Sequence, residues 1–261
     1  MTGKKSCGRR LMSSRPVVFI LVGGKGERFF PFSTIIPKCL IPVGGKPCVR
    51  WIVEDAIKQG FNKIVLCTSE KDYNHFYYEF RDLDIDYSIN NPSTGTASEL
   101  LRAKKFIDGT FVLRYGDDLT DVSYNELLHF HKTKNAALTL AFTTEYRLPV
   151  GVMRIGEKGR VLRVSEKPKL GKPSWIGVAV IEPQLLRYFR TGEDIAGQVI
   201  PKLLEARERV FAFGTQSDWY DIGNIEHWRK ADEYFRLNKS TEMGMHVSTG
   251  NRYHNTVKSL G

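Results

Sequence analysis

The apolar run from Val17 to Val22 breaks at once into Gly23, Gly24 and Gly26, and this junction constrains the chain more than any other feature. A run of that length bounded by glycines suits a buried strand, and the missing Cβ atoms let the backbone turn tightly at its end. The N–H groups of such a turn can face a phosphate. Two cations follow: Arg28 offers a planar fork of donors, and Lys38, after Pro37, a compact point charge on a flexible stem. The loop therefore reads as a cradle for a triphosphate or pyrophosphate. Two familiar phosphate motifs are excluded. A dinucleotide loop needs a third glycine where Phe29 stands, and a P-loop needs Ser or Thr after Gly45-Lys46, where Pro47 stands.

Downstream, strand and helix alternate. Cys48 to Gln59 places Val49, Ile52, Val53, Ala56 and Ile57 on one helical face and stops at Gly60. Lys63 to Thr68 then reads as a strand, Asp72 to Phe80 as a helix, Ile85 to Ile89 as a strand, Thr96 to Phe106 as a helix and Phe111 to Tyr115 as a strand. This alternation predicts an α/β fold with a mainly parallel sheet, helices on both faces, and ligands at the carboxyl ends of the strands. From Ala137 the rhythm changes. Strands at Ala137 to Thr143, Val150 to Arg154, Arg160 to Val164 and Trp175 to Ile181 come with fewer helices, which predicts a β-rich insertion for a second substrate. Helices return at Gln184 to Arg190, Ile195 to Ala206 and Ile225 to Leu237.

Three stretches follow from this pattern: a disordered basic tail over residues 1–15, a folded domain over 16–240, and a loose C-terminal tail over 241–261. The net charge is +10, and Lys4, Lys5, Arg9, Arg10 and Arg15 carry half of it. The remaining excess suits phosphorylated substrates, and with no zinc-finger or RNA-recognition signature nucleic acid is not the expected partner. No apolar run approaches the ~20 residues of a membrane helix or the length of a signal-peptide core, so a cytoplasmic protein without membrane contact is expected. Cys7, Cys39, Cys48 and Cys67 form no CxxC or metal spacing and read as reduced thiols.

The segment Leu21 to Pro47 is more specific than its glycines. Gly23-Gly24, Gly26, Arg28, Pro31, Pro37-Lys38, Pro42-Val43 and Lys46-Pro47 resemble the signature of the sugar-1-phosphate nucleotidylyltransferases, and the spacing from Arg28 to Lys38 matches. Glu27 departs from it, standing where the family has Thr or Ser, and is expected to point outward or meet a cation. The resemblance implies a Rossmann-like (GT-A-like) sheet with a β-rich sugar-binding insertion. It also implies a Mg²⁺-dependent condensation of a nucleoside triphosphate with a sugar 1-phosphate, releasing pyrophosphate. Leu21, Gly23, Gly24 and Gly26 would then bind the nucleotide.

Gly116-Asp117-Asp118 ends the strand from Phe111, and Trp219 to Gly223 is close to the family's W-x-D-x-G. The resemblance assigns Asp117 and Asp221 to the metal, since Mg²⁺ favours carboxylate together with phosphate oxygens, and leaves Asp118 as a sugar or supporting contact. Taken alone, Asp117 and Asp118 read as turn or cap residues before the Ser123 helix, and Asp221 as a cap for the Ile225 helix. Glu166-Lys167-Pro168 matches the family's EKP, where Glu166 would accept from sugar hydroxyls and Lys167 would neutralise the 1-phosphate; alone it is a solvated turn. Gly151 and Gly177 match family glycines at the sugar, while Val150 replaces the usual aromatic and Trp175 adds bulk, so the sugar does not carry over.

Asn91 to Ala97 corresponds to the base-reading loop, with Asn91, Gly95 and Thr96 at the nucleotide. Gly95-Thr96-Ala97 looks most like mannose-1-phosphate guanylyltransferases and also occurs in uridylyl-transferring relatives, and an amide such as Asn91 can face either base class. GTP with mannose 1-phosphate is the expectation, UTP or dTTP with glucose 1-phosphate the alternative, and a heptose phosphate or phosphocholine a third acceptor. Catalysis would be positional and electrostatic, through Arg28, Lys38, Asp117, Lys167 and Asp221. A rival of another class is a non-catalytic nucleotidyltransferase-like subunit; such chains usually lose these charged residues, and all five are present. The resemblance leaves room for a homo-oligomer.

Overall fold

The structure, a computed structural model, describes residues 15–24, 26, 29–91 and 94–238. In chain order these form β1 (Val18–Leu21), β2 (Pro42–Val43), β3 (Lys46–Pro47), α1 (Cys48–Lys58), β4 (Ile64–Ser69), α2 (Tyr73–Glu79), β5 (Asp86–Asn90) and α3 (Thr96–Arg102). Then come β6 (Phe111–Tyr115), β7 (Asp118–Thr120), α4 (Tyr124–Thr133), β8 (Leu138–Thr143), β9 (Val152–Ile155), β10 (Val161–Ser165) and β11 (Ser174–Ile181). The last elements are α5 (Ile200–Glu205), β12 (Val210–Gly214), β13 (Trp219–Asp221) and α6 (Ile225–Leu237).

Seven strands make one sheet in the order β12-β8-β11-β6-β1-β4-β5. β1 is parallel to β4 and β6, β4 to β5, and β8 to β12, while β11 runs antiparallel between β6 and β8. Every strand but β11 therefore points the same way. The strand order reverses between β1 and β6, which opens a crevice at their carboxyl ends. Period-two alternation explains how a four-residue strand serves two cores. Val18 and Ile20 face a cluster built with α1, α2, α4 and α6, and Phe19 and Leu21 face one built with α3 and α5. Both faces are covered, which is why β1 and the first four residues of β4, Ile64 to Cys67, are apolar runs rather than alternating ones.

The mainly parallel sheet agrees with the sequence reading, and the insertion is narrower than expected. β8 and β11 join the central sheet; only β9 and β10 stand apart, as an antiparallel hairpin. β12, unread in the sequence, pairs with β8. The helix expected over Thr96 to Phe106 ends as a 3₁₀ turn, Gln184 to Arg190 is a 3₁₀ stretch over Pro183–Tyr188, and Ile195–Val199 is a π-helical turn leading into α5. Arg15, assigned to the tail, belongs to the folded body. Its guanidinium lies 5.1 Å from the Phe61 ring centroid and donates to the Gln59 carbonyl at 3.0 Å and to Asn125 Oδ1 at 2.6 Å. Residues 1–14 and 239–261 lie outside the described residues. No helix among the described residues is long and apolar enough to cross a membrane. Cys39, Cys48 and Cys67 are buried free thiols, and burial pushes each well above its ordinary pKa.

Candidate active site

The crevice at the β1–β6 switch point is closed by one glycine. Gly116 N–H donates to the Leu21 carbonyl at 2.9 Å, and a Cβ there would stand 2.6 Å from Val22 Cγ1 and 2.9 Å from that carbonyl oxygen. Only glycine lets the two strand ends approach this closely. Asp117 follows immediately, and Lys38 Nζ donates to its Oδ2 at 2.5 Å. Lys38 is 9% exposed, in a 3₁₀ turn anchored by buried Cys39 and Leu40. Burial works against its ammonium, but Asp117 overcomes this and holds the pKa above the usual lysine value. Lys38 is therefore a fixed positive charge at the mouth of the crevice.

The two distant carboxylate motifs meet through backbone pairing. β7 and β13 run antiparallel with Asp118 opposite Asp221, and Ile222 N–H donates to the Asp117 carbonyl at 3.0 Å. Trp219 Nε1 donates to Asp118 Oδ1 at 2.9 Å, and His227 Nδ1 lies 3.3 Å from Asp221 Oδ2. Burial, then the neighbouring charges of Asp117 and Asp221, push Asp118 well above the ordinary carboxylate range. The bland role of helix cap is taken by other residues. Ser123 Oγ accepts from Glu126 N–H to cap α4, and Asn224 Oδ1 accepts from His227 N–H to cap α6. Among the described residues no three His, Cys, Asp or Glu side chains are placed to hold a metal together. Asp117 and Asp221 are both part-exposed, at 30% and 26%.

Among the residues expected at the sugar, Gly177 has φ of +70°, and a Cβ there would overlap Asp118 Oδ2. Trp175 packs edge-on to Tyr115 at 5.2 Å and donates to the Val178 carbonyl at 2.9 Å, so its bulk is anchored within the fold. Gly151 and Glu166 are neighbours at the base of the β9–β10 hairpin, where a Gly151 Cβ would lie 3.1 Å from Glu166 Oε2. Lys167 N–H donates to the Val150 carbonyl at 3.2 Å, and its Nζ to Glu226 Oε1 at 3.1 Å. The EKP turn is thereby tied to the first turn of α6, whose next residue, His227, faces Asp221. No direct contact joins Lys167 to Asp117 or Asp221 among the described residues.

Among the residues expected at the nucleotide, Gly95 has φ of +99° and a Cβ there would overlap the Glu193 carbonyl, which accepts from Ala97 N–H at 3.0 Å. Thr96 Oγ1 accepts from Ile195 N–H at 2.9 Å, so the Gly95-Thr96 turn is fastened to residues 193–195. Asn91 bonds Glu70 beyond the end of β4. Leu21 is buried in β1; at Gly23 a Cβ would lie 2.7 Å from Oε1 of the buried Glu99, whereas Gly24 faces open space. Gly26 has φ of +63° and its carbonyl accepts from Phe29 N–H at 2.8 Å. Arg28 and Glu27 lie outside the described residues.

The structure thus gathers Lys38, Asp117, Asp118, Asp221 and Gly177, and holds the base-loop and EKP residues as two further clusters. Sequence reasoning missed Trp219 as a partner of Asp118, although it lies inside the W-x-D segment. It also missed Glu99, Glu193, Glu226 and His227, whose roles depend on which helix turn abuts which loop; periodicity carries no signal for that.

The chain as a whole is similar to known proteins. The chain is 28% identical over 236 residues to a UTP–glucose-1-phosphate uridylyltransferase of Synechocystis sp., covering 80% of this chain and 61% of the relative. A mannose-1-phosphate guanyltransferase of Yarrowia lipolytica is 29% identical over 218 residues, covering 78% and 60%. The chain spans about three fifths of the length of these relatives. The crystal structure of HddC from Yersinia pseudotuberculosis superimposes with a TM-score of 0.67 at 23% identity, covering 85% of this chain and all of that one. Residues 17–236 match the family described as nucleotidyl transferase, and the chain belongs to that family.

Proposed function

We propose that the protein is a sugar-1-phosphate nucleotidylyltransferase. An oxygen of the sugar 1-phosphate attacks the α-phosphorus of a nucleoside triphosphate in line; a P–O bond forms, the bond to the β-phosphate breaks, and its electron pair leaves with pyrophosphate. The attacking oxygen is already ionised at neutral pH, so positioning and charge stabilisation carry the reaction. The observation that supports this most is the Lys38–Asp117 ion pair beside the Asp118–Asp221 register, at the switch point of the sheet.

Asp117 and Asp221 are hard oxygen donors, part-exposed and close enough to raise Asp118, a donor set that fits Mg²⁺ with substrate phosphates completing its shell. Bound there, Mg²⁺ would neutralise charge between the α-phosphate and the incoming phosphate. Lys38, a buried cation, faces the phosphate chain and limits repulsion among the carboxylates. In this reading Arg28 stabilises the leaving pyrophosphate with it, the loop from Leu21 to Gly26 and the Asn91-to-Thr96 segment hold the nucleotide, and Glu166 with Lys167 presents the acceptor beside Gly151 and Gly177. GTP with mannose 1-phosphate is supported by Gly95-Thr96-Ala97 and by the Yarrowia lipolytica relative. UTP with glucose 1-phosphate is the second reading, favoured by the Synechocystis relative at similar identity.

The test is pyrophosphate release with Mg²⁺ across GTP, UTP, dTTP, CTP and ATP against a panel of sugar 1-phosphates. A single productive pair identifies the substrates. A flat matrix would refute the enzyme and favour a non-catalytic subunit.

A further inference from the structure

The β9–β10 hairpin carries an apolar face with nothing among the described residues packed closely on it. Met153 stands opposite Val164 and Ile155 opposite Val161, so the four side chains share one face, and each is 51–60% exposed. A two-stranded ribbon is marginal in water on its own, and a contiguous exposed apolar patch marks a binding surface. The other face sets Arg154 directly across from Arg163, a like-charge pair that weakens the ladder. Neither of them, nor Lys158 or Arg160, meets a carboxylate among the described residues. Residues 147–172 hold eight Lys or Arg against two Glu.

The complementary surface lies on the same chain. Residues 70–86, which build α2 and lead into the edge strand β5, hold six Asp or Glu against two Lys or Arg. Asp84 and Asp86 are exposed and make no ion pair among the described residues, and exposed Tyr77, Tyr78 and Ile89 lie with them. Tyrosine is enriched at interfaces, and complementary charge around it favours association. The hairpin leaves the sheet between β8 and β11, and four strand spacings, about 19 Å, separate β11 from β5. That separation points the contact to another molecule.

We infer that the hairpin docks on the α2–β5 face of a second copy of this chain. The two patches differ, and a two-fold axis between two copies lets each give one arm and receive one, which closes the pair. Gly151 and Glu166 sit at the arm's base, so assembly would steady the acceptor side of the crevice.

The test is sedimentation velocity of the full chain at roughly 1–100 µM and about 50–500 mM salt. Wild type should associate with rising concentration and dissociate with salt. The pair Arg154→Glu/Arg163→Glu and the pair Asp84→Lys/Asp86→Lys should each weaken association by about tenfold or more, with unfolding midpoints near wild type. Mixing the two variants should restore it, because each arm then meets an opposite charge. Ile155→Ser/Val164→Ser, which spares all charges, should weaken association as well. A wild type that is monomeric throughout, or variants that do not recombine on mixing, would overturn the inference. So would a monomer that binds anionic vesicles through the arm instead.

Discussion

Gly177→Ala tests the packing that sets the carboxylates. The backbone at Gly177 has φ of +70°, where an L side chain costs about 1–2 kcal/mol. The new methyl would overlap Asp118 Oδ2 and lie 3.0 Å from Tyr115 Cβ. Asp118 cannot swing clear freely: it is buried, and Trp219 Nε1 holds its Oδ1 at 2.9 Å. Overpacking of that kind adds about 1–3 kcal/mol, for a total of roughly 3 kcal/mol. In a domain of this size the melting temperature should drop by about 6–12 °C. The steric part separates from the backbone part in a double-mutant cycle. In an Asp118→Ala background the overlap disappears and only the φ strain and the Tyr115 contact remain, so Gly177→Ala should cost about 1–2 kcal/mol there. Urea unfolding of the four proteins measures both numbers. A coupling energy within about 0.5 kcal/mol of zero would refute the packing of Gly177 on Asp118.

Three further outcomes are expected. Lys38→Met leaves the Asp117 carboxylate without its ammonium and should slow pyrophosphate release about 100-fold, near 3 kcal/mol in the transition state, in steady-state assays. Burial raises Asp55 to about 6, with Arg114 opposing, so the folded state holds a proton that the unfolded chain has lost. This favours folding most below the unfolded value, fades as pH climbs through about 6, and amounts to about 3 kcal/mol; Asp55→Asn should flatten that part of a melting-temperature profile between pH 4 and 8. Cys39, Cys48 and Cys67 should resist a thiol reagent at pH 8 until denaturant is added, and fast native labelling of any of them would contradict their burial.

Much of the sheet was legible because central parallel strands are plain apolar runs. Val17 to Val22 and Phe111 to Tyr115 announce themselves, and Gly60 and Gly95 mark helix boundaries that the structure keeps. β12 was not legible. Val210 to Phe213 follows a helix without a turn signal, and only its pairing with β8 makes it a strand. The change of rhythm at Ala137 was real, but composition cannot tell a strand that leaves the sheet from one that enters it antiparallel. β11 is buried over Ile176 to Ile181 whereas β9 and β10 are exposed almost throughout, a difference in surroundings rather than in residue type.

In the candidate site, residue identity was easier to read than residue company. Asp117 and Asp221 could be named from their motifs; what makes them neighbours is the short β7–β13 ladder, two three-residue strands too brief to carry a periodic signal. Asp118 is carried into a buried position by the same ladder. It is locked from three sides: Trp219 bonds one oxygen, Gly177 leaves room for the other, and Arg114 donates to the carbonyls of Asp118 and Thr120 at 2.9 and 3.2 Å. A side chain so fixed has little freedom to follow a substrate. Asp117 and Asp221 are more exposed, and among the described residues each meets a single side-chain partner, Lys38 and His227, so of the three carboxyls Asp118 is the one the fold itself holds in place.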